Sequence, residues 1–111
     1  MFIAMNRFRV KRGSEEAFEQ VWLSRDTQLT KVPGFVEFHL LKGAEQEDYT
    51  LYSSHSVWQS KTKFEAWTKS EEFRRAHARA DNKTGESLYL GHPKFEGFDV
   101  ILSERKSSAA A

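Results

Sequence analysis

Apolar and polar residues alternate strictly over residues 2–10 (FIAMNRFRV): Phe2, Ala4, Asn6, Phe8 and Val10 share one face, while Ile3, Met5, Arg7 and Arg9 share the other. A period of two predicts a β-strand. The first face is apolar except at Asn6, so a single amide sits in a row of side chains turned toward a core or pocket. Lys11-Arg12-Gly13 closes the strand. Ser14 followed by Glu15 and Glu16 has the form of an N-cap with acids in the first helical turn. The helix that follows is expected to carry Ala17, Phe18, Val21, Trp22 and Leu29 inward and Glu19, Gln20, Ser24 and Asp26 outward. Pro33-Gly34 ends it. Residues 35–42 read as a second strand, 43–48 as a polar turn, and 49–58 as a third strand with Leu51, Ser53, His55 and Val57 on one side, together an antiparallel hairpin.

Ser60 can cap a short helix carrying Phe64 and Trp67, and Ser70 with Glu71 and Glu72 can cap another carrying Phe73, Ala76, His77 and Ala80. The two helices can form one bent unit. Residues 81–94 are polar and longer than a simple connector needs, which suggests a lid. Residues 95–102 form the last expected strand, and 103–111 (SERKSSAAA) an expected disordered tail. This order predicts an α+β, ferredoxin-like split βαβ domain (β-α-β-β-α-β) over residues 1–102, with two right-handed crossovers laying the helices on one face of an antiparallel sheet. The opposite face then needs cover. A second copy of the same sheet is the simplest one, which predicts a two-fold homodimer and a dimeric α+β barrel.

Composition narrows the function. With 17 Lys+Arg against 16 Asp+Glu the formal charge is +1, so no net field draws the chain onto nucleic acid or an anionic membrane. No cysteine is present, which removes disulfides, thiolate catalysis and Cys-ligated metals. No segment approaches the roughly 18–20 apolar residues of a membrane helix. The start MFIAMNRFRVKRG lacks the basic region and cleavage site of a leader, so a cytoplasmic location is expected. Nine Phe, three Trp and three Tyr are more aromatics than a core of this size requires, leaving some for a flat ligand.

His77 is the first chemical candidate. At helical spacing its neighbours are Phe73, Ala76 and Ala80, whereas Arg74, Arg75 and Arg79 project elsewhere. A neutral imidazole between small residues on an apolar stripe suits an axial iron ligand, with the arginines free to meet carboxylates at a cleft mouth. Position alone leaves a hydrogen-bonded core histidine as the commoner alternative. Phe64 and Trp67, with Phe18 and Trp22, wall a cleft or form ordinary core. Asn6 needs a partner, a water or a ligand, because an unpaired buried amide costs about 1–3 kcal/mol. His39 has no ligand type beside it in sequence, and His55 and His92 read as structural or solvated. No metalloprotease spacing, phosphate-binding glycine loop or nucleophile elbow occurs.

Asn6-Arg7 together with the run SVWQSKTKFEAWTKSEEFRRAH, residues 56–77, resembles the haem-degrading branch of the antibiotic biosynthesis monooxygenase superfamily. The resemblance covers residues 2 to about 80 and the last strand loosely. It implies a catalytic set of Asn6, Trp67 and His77. His77 would be the proximal iron ligand, Trp67 would press on and ruffle the macrocycle, and Asn6 would hydrogen-bond on the opposite, oxygen-binding side. Haem would then be both cofactor and substrate, consumed with O2 to release iron and a bilin. Trp22, Phe64 and Phe73 would line the pocket, and Arg25 would serve a propionate or the surface. Phenylalanine is usual in the family at the position of Trp22, a departure that bears on pocket volume and on where the ring opens. With no flavin or nicotinamide fingerprint, electrons must come from a separate reductase or a small reductant. Two rivals stay open: a haem carrier or sensor without turnover, and a cofactor-independent oxygenase acting on a small aromatic metabolite.

Overall fold

A computed structural model describes residues 1–70, 73 and 88–106. Its elements are β1 (Phe2–Lys11), α1 (Glu15–Leu23), β2 (Phe35–Glu45), β3 (Tyr49–Trp58), α2 (Lys61–Thr68) and β4 (Lys94–Asp99). The strands pair antiparallel in the order β2-β3-β1-β4, the ferredoxin-like arrangement the alternation predicted. β1 and β3 are the inner strands, and Phe2, Ala4, Phe8 and Val10 of β1 are all buried on its helix-facing side.

Three boundaries differ from expectation. The first helix stops at Leu23 instead of running to Pro33, and Leu29 is buried from a separate 3-10 turn, Leu29–Lys31. Short polar side chains between the two compete for the backbone: the Ser24 hydroxyl donates to Val21 O at 3.2 Å, and Leu29 N donates to Thr27 Oγ1 at 3.3 Å. Gln28, at φ 56°, completes the break, and its amide donates to the Asp26 carboxylate at 2.7 Å. At the other end, the Ser14 side chain makes no capping bond; Glu15 Oε1 instead accepts from Gly13 N at 2.7 Å.

β2 runs past the expected turn to Glu45, absorbing Gly43 and Ala44 at an irregularity between Lys42 and Glu45. Only residues 46–48 remain as the turn, closed by Gln46 N donating to Tyr49 O at 2.7 Å. β4 ends at Asp99 instead of Leu102, since its partner strand begins at Phe2, opposite Asp99, and leaves Ile101 and Leu102 exposed. The expected tail is described as far as residue 106, where the backbone is irregular and exposed.

α2 starts as expected, with Ser60 Oγ accepting from Lys63 N at 3.2 Å. Ser70 Oγ likewise accepts from Phe73 N at 3.2 Å. The rest of the expected second helical piece, His77 included, and residues 81–87 of the expected lid lie outside the described residues.

The helix side of the sheet carries two clusters. Phe2, Ala4, Leu29 and Trp58 form one with Phe35, Phe38, Phe64 and Trp67 against it. Phe8, Val10, Phe18 and Tyr52 form the other with Trp22, Leu40 and Tyr89. On the opposite face, cross-strand partners include Ile3, Met5, Leu41, Val57 and Phe98, and Leu41 and Phe98 are 41% and 45% exposed. No described helix packs there. Among the described residues no helix is long and apolar enough to cross a membrane.

Candidate functional site

Between the two clusters the sheet has a row of a different character. Leu40 of β2, Ser54 of β3, Asn6 of β1 and Phe95 of β4 stand opposite one another on the helix side. The next row toward the first cluster holds Ser56 and Ala4. Asn6 is half-buried, and its carboxamide makes no hydrogen bond among the described residues. Small and polar side chains thus form a floor, with aromatics rising on both sides.

α2 supplies one wall. The Trp67 ring lies 5.2 Å from Trp58 and meets Phe73 edge-on at 4.7 Å. Phe64 is 5.7 Å from Phe95 and nearly parallel to it, and 5.5 Å from Phe2. The wall is anchored by Trp58, whose indole N–H donates to Ser56 Oγ at 2.9 Å; the Ser56 hydroxyl in turn donates to Ala4 O at 3.3 Å. Trp58 is fully buried, so this chain of bonds holds the ring against which Trp67 rests.

α1 supplies the other wall. Trp22 stacks on Phe38 at 5.6 Å with 20° between planes, meets Phe8 edge-on at 6.0 Å, and carries the Arg25 guanidinium 4.0 Å above its ring. Phe38 also packs against the α2-side cluster, so it joins the two walls across the floor. Phe38, Leu40, Ser54 and Phe95 were not singled out from the sequence. The signal was available only through strand register with Asn6.

Below α1 a polar group ties the helix to the sheet. The Tyr52 hydroxyl donates to the Glu19 carboxylate, and Lys42 Nζ lies 3.6 Å from Glu19. Burial, then the Glu19 carboxylate, push the Tyr52 phenol far above its ordinary range. Thr50 Oγ1 donates to Glu15 Oε2 at 2.8 Å. The hydrogen bonds that Glu15 receives from its own backbone and from Thr50 hold its carboxyl below the usual range. These groups tie α1 to β2 and β3.

The outer face brings two of the histidines together. His39 is without a neighbour of ligand type in sequence, yet strand pairing sets it opposite His55 with ring centroids 5.9 Å apart. Glu37 Oε2 approaches His39 Nε2 at 3.5 Å. Among the described residues no group of three or more His, Asp or Glu side chains could hold a metal ion.

The structure therefore brings Asn6, Trp22, Arg25, Phe64, Trp67 and Phe73 to one side of the sheet around a common floor. His77 lies outside the described residues. The arrangement suits a flat, largely apolar ligand: stacking surfaces on both sides, an amide on the floor with no hydrogen bond among the described residues, and a guanidinium at the α1 rim.

This fold and this two-walled site define a small α+β oxygenase-type domain, and residues 1–79 match the model of the Antibiotic biosynthesis monooxygenase family. The chain belongs to that family. It is 32% identical over 91 residues to the protein of Staphylococcus haemolyticus (strain JCSC1435) named Heme oxygenase (staphylobilin-producing), covering 78% of this chain and 83% of that one. The fold is also that of the heme-degrader MhuD of Mycobacterium tuberculosis (TM-score 0.70, 22% identity, 95% of this chain and 100% of that one). It is shared as well by SnoaB, a cofactor-independent oxygenase of Streptomyces nogalater (TM-score 0.68, 21% identity, 95% and 97% covered).

Proposed function

We propose that this chain is a haem-degrading monooxygenase, which opens the porphyrin with O2 and electrons from a separate reductase or small reductant and releases iron and a bilin. The observation that carries the reading is the floor of Ala4, Asn6, Ser54 and Ser56 set between the Trp22 and Trp67 walls. The name of the Staphylococcus haemolyticus relative supports the same chemistry. Bound haem supplies the iron that activates oxygen and is itself the ring consumed.

The chain's own residues divide the remaining work. His77 is the proposed proximal ligand. Trp67, which contacts Trp58 on one side and Phe73 on another, would press on a bound macrocycle and ruffle it. Asn6, whose carboxamide makes no hydrogen bond among the described residues, would donate to a ligand of the bound haem. Arg25 would meet a propionate; its stacking on the Trp22 ring supports this role. A second copy covers the outer sheet face, where Leu41 and Phe98 are exposed. The activity belongs to the cytoplasm, where reductants are at hand, and would serve iron acquisition.

Titrating haem into the pure protein while following the Soret band, then adding ascorbate and oxygen, tests the reading. The expected result is saturable binding that His77→Ala weakens, followed by loss of the Soret band. Trp67→Ala is expected to bind haem and degrade it slowly. Absence of binding overturns the proposal, and bound haem that survives turnover conditions replaces it with a carrier.

A further inference from the structure

We infer that Ser54 is a second hydrogen-bond donor on the floor, acting beside Asn6 on a small anionic or dipolar ligand of the haem iron. The inference rests on the haem reading above and adds a residue to it. Ser54 is directly opposite Asn6 in the β1–β3 register, on the same face, and is only 8% exposed. Its Oγ accepts a hydrogen bond from Asn6 N at 3.3 Å, which uses a lone pair and leaves the hydroxyl proton to be donated elsewhere. No acceptor for that proton is found among the described residues.

The neighbouring serines are different. Ser56 donates to Ala4 O at 3.3 Å and accepts from the Trp58 indole, and Ser53 donates to Ser54 O at 2.9 Å. Both spend their protons on the backbone. Ser54 alone of the three keeps one for the cleft. A buried hydroxyl with no acceptor among the described residues is costly, and its side chain stands between the apolar Leu40 and Asn6, whose carboxamide oxygen makes no hydrogen bond with it. A ligand lone pair above the floor does so. Two donors side by side, one amide and one hydroxyl, form a small cradle for negative charge on an atom bound to the iron.

Cyanide binding to the ferric haem complex tests this without turnover. Ser54→Thr and Ser54→Val are nearly the same shape and differ in the hydroxyl. The Thr variant is expected to keep the wild-type cyanide affinity, and the Val variant to lose about tenfold, equal to about 1.4 kcal/mol. Ser54→Ala should match Val. The haem affinity of each variant is measured first in the Soret titration, and cyanide affinities are compared only between fully haem-loaded complexes. Equal cyanide affinities for Thr and Val overturn the role of Ser54 while leaving the haem reading intact. Failure of the wild-type protein to bind haem removes the reading on which the inference rests.

Discussion

Trp22 forms the α1 wall of the proposed site, and Trp22→Phe has consequences that can be worked out in advance. The indole makes a 20° stack on Phe38 at 5.6 Å, an edge contact to Phe8 at 6.0 Å, a looser tilted contact to Phe18 at 6.4 Å, and a cation–π contact with Arg25 at 4.0 Å. An aromatic pair contributes about 0.5–1.5 kcal/mol beyond area burial. A cation–π contact at a partly exposed site contributes about 0.5–1 kcal/mol. Phenylalanine keeps a single ring and so roughly half of this, giving an expected loss of about 1 kcal/mol. For a domain of about this size, that lowers the melting temperature by about 4 °C. The same truncation recesses the α1 wall, so haem can shift toward α1 and present a different meso carbon to attack. Two assays read the two effects: thermal unfolding of the apo-protein by circular dichroism, and mass spectrometry of the bilin formed with ascorbate. Arg25→Ala made in the Trp22→Phe background should cost less than in the wild type, because the surface it covers is reduced. An unchanged melting temperature together with an unchanged product ratio refutes the assignment of Trp22 as a wall that sets the position of the ring.

Two further predictions concern parts of the fold that serve the site indirectly. Tyr52 has its phenol pKa raised by burial and by Glu19, so the stability gained by keeping it neutral is complete below the ordinary value of about 10 and is lost as pH rises beyond it. Tyrosinate absorbance at alkaline pH should therefore reach its full amplitude only with unfolding. Tyr52→Phe keeps the ring on Phe18, 4.9 Å away, and should remove that lag at a cost of about 1 kcal/mol, since the half-exposed Glu19 recovers water as a partner. On the outer face, Leu41→Glu combined with Phe98→Glu should give a monomer by light scattering. A wild-type protein monomeric at every concentration contradicts the dimer.

The pattern of residues anticipated the four strands and the two described helices because each has a strong local period. Phe2, Ala4, Phe8 and Val10 face the core as the alternation requires, and Ser60 caps α2. The errors fall where local rules compete. Leu29 keeps helical spacing with Val21 and Trp22, but Ser24 and Thr27 bond to the backbone between them and break the helix. Strand ends were misplaced for another reason: β2 extends to Glu45 and β4 stops at Asp99 according to what their partner strands offer.

The sequence by itself determined that Asn6 lies on the core-facing side of the first strand, that Phe64 and Trp67 share a helix, and that the run ending at His77 belongs to the family motif. Tertiary structure alone decided what surrounds them. That Ser54 stands beside Asn6, that Phe38 joins Trp22 to the opposite wall, and that His39 meets His55 all follow from strand register. Register is settled by packing among residues far apart in the chain, such as Asn6 and Ser54, 48 positions apart, and no local period encodes it.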